Sequence, residues 1–229
     1  MYLDPTYILV IVGAIISAIA SWNVNKTFKS FSQFANSKGL AAQDVAAMVM
    51  RKAGICDVRI EHIRGSLTDH YSPNEKVLRL SDSVYNSTSV AAIGVAAHEC
   101  GHAIQHKEGY FPLKLRSASV PMANIGSKLS WPIIFIGLIL GYAGLARIGV
   151  YLFACVVLFQ LITLPVEFDA SRRALTILEE NSLLVGAELK GAAKVLRAAA
   201  LTYVAALFST ILQLLRLLIL TQGDNRRRR

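Results

Sequence analysis

Cysteine is scarce in this sequence, which has three among 229 residues, at positions 56, 100 and 155. Three cysteines cannot form a disulfide framework, and no C-x-x-C pair is present to act as a redox motif or to bind a metal through paired thiolates. We therefore expect Cys56, Cys100 and Cys155 to be reduced residues that serve packing.

Charged side chains are also few, at 17% of residues against 54% hydrophobic, and the mean hydropathy is +0.45. This composition is more apolar than an average soluble domain, and the excess lies in blocks, which indicates an integral membrane protein embedded in the lipid bilayer. The net charge is +9, but the lysines and arginines are scattered and no nucleic-acid motif is present. We assign the positive charge to the membrane surface and expect no nucleic-acid partner.

Four apolar blocks are candidates for membrane helices, and they cover residues 6–21, 131–145, 148–164 and 198–220. As a helix the last covers about 34 Å and can span a bilayer, whereas the others reach about 22–26 Å. The middle two would form a spanning hairpin or a re-entrant pair, and in both cases the chain returns to the face it left. The sequence predicts a mainly α membrane protein with about four transmembrane or membrane-embedded helices and a small α+β part.

The first block is predicted to be a retained anchor, residues 1–22. Tyr7 and Trp22 flank it as interfacial aromatics. A cleaved signal peptide is the alternative, since Ala18 and Ala20 make an A-x-A pattern. The segment lacks the positive leading region of a signal peptide, with Asp4 as its only early charge, so the anchor is favoured.

Residues 90–106 read VAAIGVAAHECGHAIQH, in which His98, Glu99 and His102 form H-E-x-x-H. The small apolar flanks predict a helix, where four residues turn about 400° and both imidazoles project from one face. Two neutral imidazoles at that spacing can bind one Zn²⁺, and Glu99 is placed to take a proton from a water that the metal activates. The alternative is a chance set of surface polar residues, which suits these flanks poorly. We interpret the segment as a zinc hydrolase core.

Two neighbours of the motif are excluded as ligands. His106 continues the series 98, 102, 106 but lies about 12 Å along a straight helix from His98, too far to share one ion. Cys100 lies about 200° around the helix from His98. Gln105 and Glu108 occupy the places where the longer motif has a glycine and a third histidine. We expect His106 to be structural or to support a ligand.

The third ligand is predicted after the membrane hairpin, in the segment Pro165–Arg173, which reads PVEFDASRR. Proline favours the first position of a helix, so a new helix is expected here with Glu167 in its first turn. Since the hairpin returns the chain to the face that holds the two histidines, Glu167 can complete a His₂Glu site with the fourth position open for water. The alternative is that Glu167 and Asp169 only complement the helix dipole.

Two strands are predicted before the motif helix, one around Val58–Ile63 and one at Lys76–Ser81. The second comes directly ahead of that helix, and an exposed edge there could hold an extended peptide by backbone hydrogen bonds. His70 and Tyr71 lie just before it. They are candidates to reach the site, although polar residues of turns commonly do no more than form the turn.

The residues HECGHAIQHKEGY, followed after two apolar blocks by LPVEFDASRRAL, resemble the YugP-type family of bacterial membrane neutral zinc metallopeptidases. The resemblance runs almost end to end. The layout is more distantly similar to the HtpX-type and prenyl-protein endopeptidases of the gluzincin group. The resemblance implies a zincin-like catalytic part. It also implies that His98, His102 and Glu167 are the ligands of one zinc ion and that Glu99 is the catalytic base. Where the distant group usually has an Asp four residues after the ligand Glu, this chain has Ser171. Asp169 is a candidate for a related supporting role, holding a ligand imidazole.

The predicted reaction is hydrolysis of a peptide bond in a protein or peptide substrate. Because the site is expected at the membrane surface, we expect the substrate to be membrane-associated. The oxyanion needs a donor besides zinc, and among Arg173, His106 and Tyr71 we favour Arg173, although a membrane-surface arginine is the simpler interpretation. The rival functions are a zinc-stabilised scaffold and a metal transporter. A scaffold has no use for Glu99, and a transporter should carry ionisable residues in mid-span, which these blocks almost lack.

The sequence also predicts the orientation of the protein in the membrane. Lys26, Lys29 and Lys38 follow the anchor, so the positive-inside rule places the N-terminus outside and the catalytic face in the cytoplasm. Four crossings would then place the basic tail Arg226–Arg229 outside, which conflicts with the same rule unless the tail is translocated, the last block does not cross or the orientation is inverted. The predicted segments are the anchor (1–22), the peptidase core (23–130), the hairpin (131–164), the third-ligand helix (165–197) and the last membrane helix with its tail (198–229).

Overall fold

The computed structural model describes residues 4–226, with side chains described as far as Thr221, so residues 227–229 of the basic tail lie outside it. Six helices and three strands follow one another in the described chain: α1 (Tyr7–Phe31), α2 (Ala42–Lys52), β1 (Arg59–Ile63), β2 (His70–Ser72), β3 (Val77–Ser81), α3 (Val90–Lys107), α4 (Phe111–Ile139), α5 (Ala143–Glu180) and α6 (Ala187–Arg226). Four of these helices, α1, α4, α5 and α6, are long and apolar enough to cross a membrane. The predicted fold class, mainly α with about four membrane helices and a small α+β part, is confirmed.

Backbone contacts divide the chain into two compact units. The first, the helical unit, contains residues 4–21, Leu115–Leu164 and 202–226. The second, the mixed unit, contains Trp22–Lys114 and Pro165–Leu201. The sheet, the H-E-x-x-H segment and Glu167 all belong to the mixed unit.

Small residues let helices of the helical unit approach each other closely. A Cβ at Gly126 would lie 2.5 Å from the Leu152 carbonyl oxygen, and one at Gly137 would lie 2.4 Å from the Ala146 nitrogen. The Ser209 hydroxyl donates to the Gly13 carbonyl at 2.7 Å. Close backbone approach and hydroxyl hydrogen bonds are the usual means of helix association where lipid removes the hydrophobic driving force.

Several helix boundaries differ from the predicted ones. The turn between α4 and α5 comes at residues 140–142, not 146–147, because Gly141 adopts a φ of 68° that ends α4. Pro165 was predicted to begin a new helix, and this is wrong, since it lies inside the continuous α5. A membrane helix tolerates the one missing N–H of an internal proline. The predicted third-ligand helix is also divided, with α5 ending at Glu180 and α6 beginning at Ala187.

The sheet has the order β1-β3-β2, with β3 parallel to β1 and antiparallel to β2. β3 is therefore the central strand, and the predicted exposed edge at residues 76–81 is wrong. Its side chains Leu78 and Leu80 are fully buried in the core of the mixed unit. Of the two edge strands, β2 is the nearer to the motif in sequence. Its three residues are too few to show the alternation of apolar and polar side chains that identifies a strand.

The motif helix α3 has a sequence signal at each of its ends. The Ser89 hydroxyl accepts a hydrogen bond from the Ala92 nitrogen at 3.2 Å and caps the first turn. Gly109, with a φ of 66°, follows the last turn. A Cβ at Gly101 would lie 2.5 Å from the Ala170 carbonyl oxygen of α5. The missing side chain thus allows α5 to pass directly against the turn between His98 and His102.

Candidate metal centre

The three residues predicted as ligands lie together in the mixed unit. The candidate ligand atoms of His98, His102 and Glu167 all lie within 4.8 Å of one another. Glu167 Oε2 is 3.3 Å from His98 Nε2 and 3.6 Å from His102 Nε2. Glu167 is only 2% exposed. A buried carboxylate that faces two imidazole nitrogens is the arrangement that a metal cation would stabilise.

Each imidazole is oriented by a second residue at its other nitrogen. His102 Nδ1 lies 3.0 Å from the Gln105 Oε1, and His98 Nδ1 lies 3.1 Å from the Ser171 hydroxyl. These contacts direct both Nε2 atoms towards Glu167. A second partner at Nδ1 fixes the ring and makes Nε2 the better ligand.

The tautomer of His102 follows from the orientation of Gln105. The Gln105 amide nitrogen donates to the Val166 carbonyl and to Asp169 Oδ2, both at 2.9 Å. Its oxygen is therefore the atom that faces His102, and an oxygen can only accept. Nδ1 must carry the proton, which leaves the lone pair on Nε2 free for a metal.

The electrostatic field at the centre favours positive charge. Burial alone would lower the pKa of His102, but the hydrogen bond that Glu167 accepts from it and the charges of Glu99 and Glu167 outweigh burial and raise the pKa above its usual value. The donor set is two imidazole nitrogens and one carboxylate oxygen, which Zn²⁺ accepts in sites that keep one position open. The residues present therefore fit a zinc ion.

Glu99 is buried beside the three candidate ligands but is not one of them. Its Oε2 accepts a hydrogen bond from the backbone nitrogen of Tyr71, in β2, at 3.0 Å. One oxygen of the carboxylate is thus fixed by the sheet. Sequence reasoning missed this contact because β2 was not predicted.

The other residues near the motif take supporting positions. The Tyr71 hydroxyl is 2.8 Å from His106 Nδ1, and His106 is exposed and outside the ligand cluster, as predicted. The His70 ring bonds to the Thr68 carbonyl and does not join Tyr71 at Glu99. Cys100 is fully buried, and burial raises the pKa of its thiol well above the usual range, so it stays protonated.

Asp169 and Arg173 form an outer layer around Gln105. The Asp169 carboxylate accepts from Gln105, Arg172 and Arg173, so it supports the residue that holds His102. The expected direct contact between Asp169 and a ligand imidazole is made instead by Gln105 and Ser171. Arg173 also pairs with Glu108 and lies over the Tyr110 ring. The oxyanion role of Arg173 stays a prediction.

Replacing Gln105 by leucine should weaken zinc binding about 10- to 100-fold, the usual cost of removing a partner that orients a ligand. Leucine keeps the volume but cannot hold His102 Nδ1. Affinity is measured by competition with a chelator of known strength. Gln43→Leu is the matched control, since the Gln43 side chain donates to Asn86, which lies outside the metal centre. Equal affinity in Gln105→Leu and the wild type would show that Gln105 does not position His102.

The chain is similar to known protein sequences over most of its length. The profile of the family described as "Putative neutral zinc metallopeptidase" matches residues 6–222. The chain is 43% identical over 202 residues to the "Putative membrane protease YugP" of Bacillus subtilis (strain 168), an alignment that covers 88% of this chain and 89% of that protein. No solved structure matches the chain. The family match includes all three candidate ligands and Glu99.

Proposed function

The chain belongs to the neutral zinc metallopeptidase family, and from this premise we propose that it is a membrane-bound zinc endopeptidase. One zinc ion per chain would be held by His98, His102 and Glu167. The observation that carries the proposal is the approach of both Nε2 atoms to one buried carboxylate oxygen, with Glu99 beside them and outside the ligand set.

A bound zinc ion would polarise the peptide carbonyl and make an attacking water more acidic. Glu99 takes the proton from that water and then delivers it to the leaving amine. The Tyr71 backbone N–H holds one Glu99 oxygen at 3.0 Å, and the other oxygen would accept the proton. Gln105 and Ser171 keep the imidazoles in place, so little reorganisation is needed during turnover.

We further propose that the protein is multi-pass and that the mixed unit lies at the cytoplasmic face. The two segments of this unit are separated in sequence by Leu115–Leu164, which contains most of α4 and the apolar part of α5, and two crossings would return the chain to the same side. The three lysines that follow the apolar block of α1 support the cytoplasmic assignment. A site on this face would act on protein or peptide substrates that approach the membrane surface.

Removing the metal should abolish cleavage of an unfolded, fluorescently labelled protein by the purified full-length chain. Treatment with 1,10-phenanthroline is expected to stop the reaction, and added zinc should restore it, because Glu99 alone cannot activate water without a Lewis acid. The isomer 1,7-phenanthroline, which does not chelate, is the control. Undiminished cleavage by protein shown to be free of metal would overturn the proposal.

A further inference from the structure

A basic groove lies between α1 and α6 within the mixed unit. It has a volume of about 400 Å³, and its lining includes three cations, Lys26, Lys194 and Arg197. No acidic side chain is among the described residues that line it. Three like charges around one cavity repel one another, so the groove is suited to an anion.

The spacing of the lining residues explains why they face one groove. On α1 they are residues 23, 26, 27, 30 and 31, and on α6 they are residues 194, 197, 198 and 201. Both sets follow the i, i+3, i+4, i+7 pattern of a single helix face, and Phe31 adds position i+8 on α1. The helices meet closely at one end of the groove, where a Cβ at Gly191 would lie 2.9 Å from the Phe31 ring.

Two of the three cations lie over aromatic rings, and no ion pair to a carboxylate is found for any of the three among the described residues. Lys26 Nζ lies 4.7 Å from the centre of the Trp22 ring, and Lys194 Nζ lies 5.9 Å from that of Phe31. A cation over a ring keeps N–H groups free to donate to a phosphate oxygen. Asn23, Thr27 and Ser30 add neutral hydrogen-bonding groups along the same wall.

The position of the groove along the chain indicates which anion it meets. The apolar block of α1 ends just before Trp22, an exposed interfacial aromatic, and that of α6 begins at Ala198. The three cations thus flank two membrane segments, at the level where lipid headgroups lie. Leu201, which also lines the groove, is exposed and can contact an acyl chain.

We propose that this groove binds the phosphate headgroup of an anionic phospholipid, with Lys26, Lys194 and Arg197 as the phosphate-binding residues. Such a lipid would link the first turns of α6 to the last turns of α1, because its phosphate would contact cations of both helices. The proposal does not depend on zinc binding or on peptidase activity, since none of the groove residues belongs to the metal centre.

The test is native mass spectrometry of the full-length protein in detergent, titrated with phosphatidylglycerol and with phosphatidylcholine of the same acyl chains. The wild type should prefer phosphatidylglycerol. The variant Lys26→Gln, Lys194→Gln, Arg197→Gln should bind it about 100-fold more weakly, and Arg197→Gln alone about fivefold more weakly. Arg197→Lys keeps the charge and should retain most of the affinity.

The matched control removes three other exposed cations of the mixed unit, as Lys52→Gln, Arg59→Gln and Arg64→Gln, and should bind the lipid like the wild type. If the triple groove variant does not fold, the comparison of Arg197→Gln with Arg197→Lys decides. Three results would overturn the proposal: equal binding of the two lipids, an equal loss in the control, or displacement of phosphatidylglycerol by inorganic phosphate at the same concentration, which would mark a general anion site.

Discussion

Replacing Glu167 by alanine should lower the affinity for zinc by more than 100-fold. Loss of a partner that only orients a ligand costs about 10- to 100-fold, and Glu167 is proposed to bind the ion directly. Its carboxylate is the only one in the ligand cluster and is almost fully buried. Without it, two imidazoles remain, and the site has lost the negative charge that attracts a cation. The zinc content after equilibration with a competing chelator measures the effect.

Glu180→Ala is the matched control for this prediction. Glu180 is the last residue of the same helix, is exposed, and its replacement removes the same charge. It should bind zinc like the wild type. The helix content and thermal unfolding of both variants should be recorded, so that loss of the metal is distinguished from loss of the fold. Wild-type affinity in a folded Glu167→Ala variant would show that the third ligand lies elsewhere.

Replacing Glu99 by glutamine should reduce the rate of peptide cleavage by about 1,000-fold while zinc binding is unchanged. General acid–base catalysis contributes about 10²- to 10⁴-fold, and glutamine cannot accept the proton. It can still accept the hydrogen bond from the Tyr71 nitrogen through its amide oxygen, so the position of the side chain is expected to persist. The measurement is kcat on an unfolded protein substrate together with the zinc content of the same preparation.

Two further variants separate a role in proton transfer from a role in structure. Glu99→Asp keeps a carboxylate on a shorter side chain and should retain more activity than Glu99→Gln. Glu180→Gln makes the same chemical change at an exposed position and should leave the activity unchanged. A variant Glu99→Gln that binds zinc and cleaves at the wild-type rate would contradict the proposed base.

The helix that carries the motif could be predicted from the sequence because its signals are local. Four positions separate His98 and His102, Ser89 stands where a cap is needed, and Gly109 follows the last turn. Glu167 could be predicted as a partner because two apolar segments of similar length return the chain to its starting face. These inferences need only the period of a helix and the thickness of a membrane.

The residues that hold the centre together could not be predicted in the same way. β2 has three residues, too few to show alternation, so the bond from Tyr71 to Glu99 had no sequence signal. Gln105 was noted only as the residue that stands where a longer motif has a glycine. Its contacts with Val166 and Asp169 depend on how α3 packs against α5. Pro165 was misinterpreted because a rule for soluble helices was applied where the helix continues from an apolar segment.

The most direct test of the account compares zinc content and cleavage rate in the wild type, Glu99→Gln and Glu167→Ala, purified in parallel. We expect one zinc ion and measurable cleavage for the wild type, one zinc ion and almost no cleavage for Glu99→Gln, and neither for Glu167→Ala. Cleavage that persists in Glu99→Gln, or zinc that stays bound at full affinity in Glu167→Ala, would contradict the account.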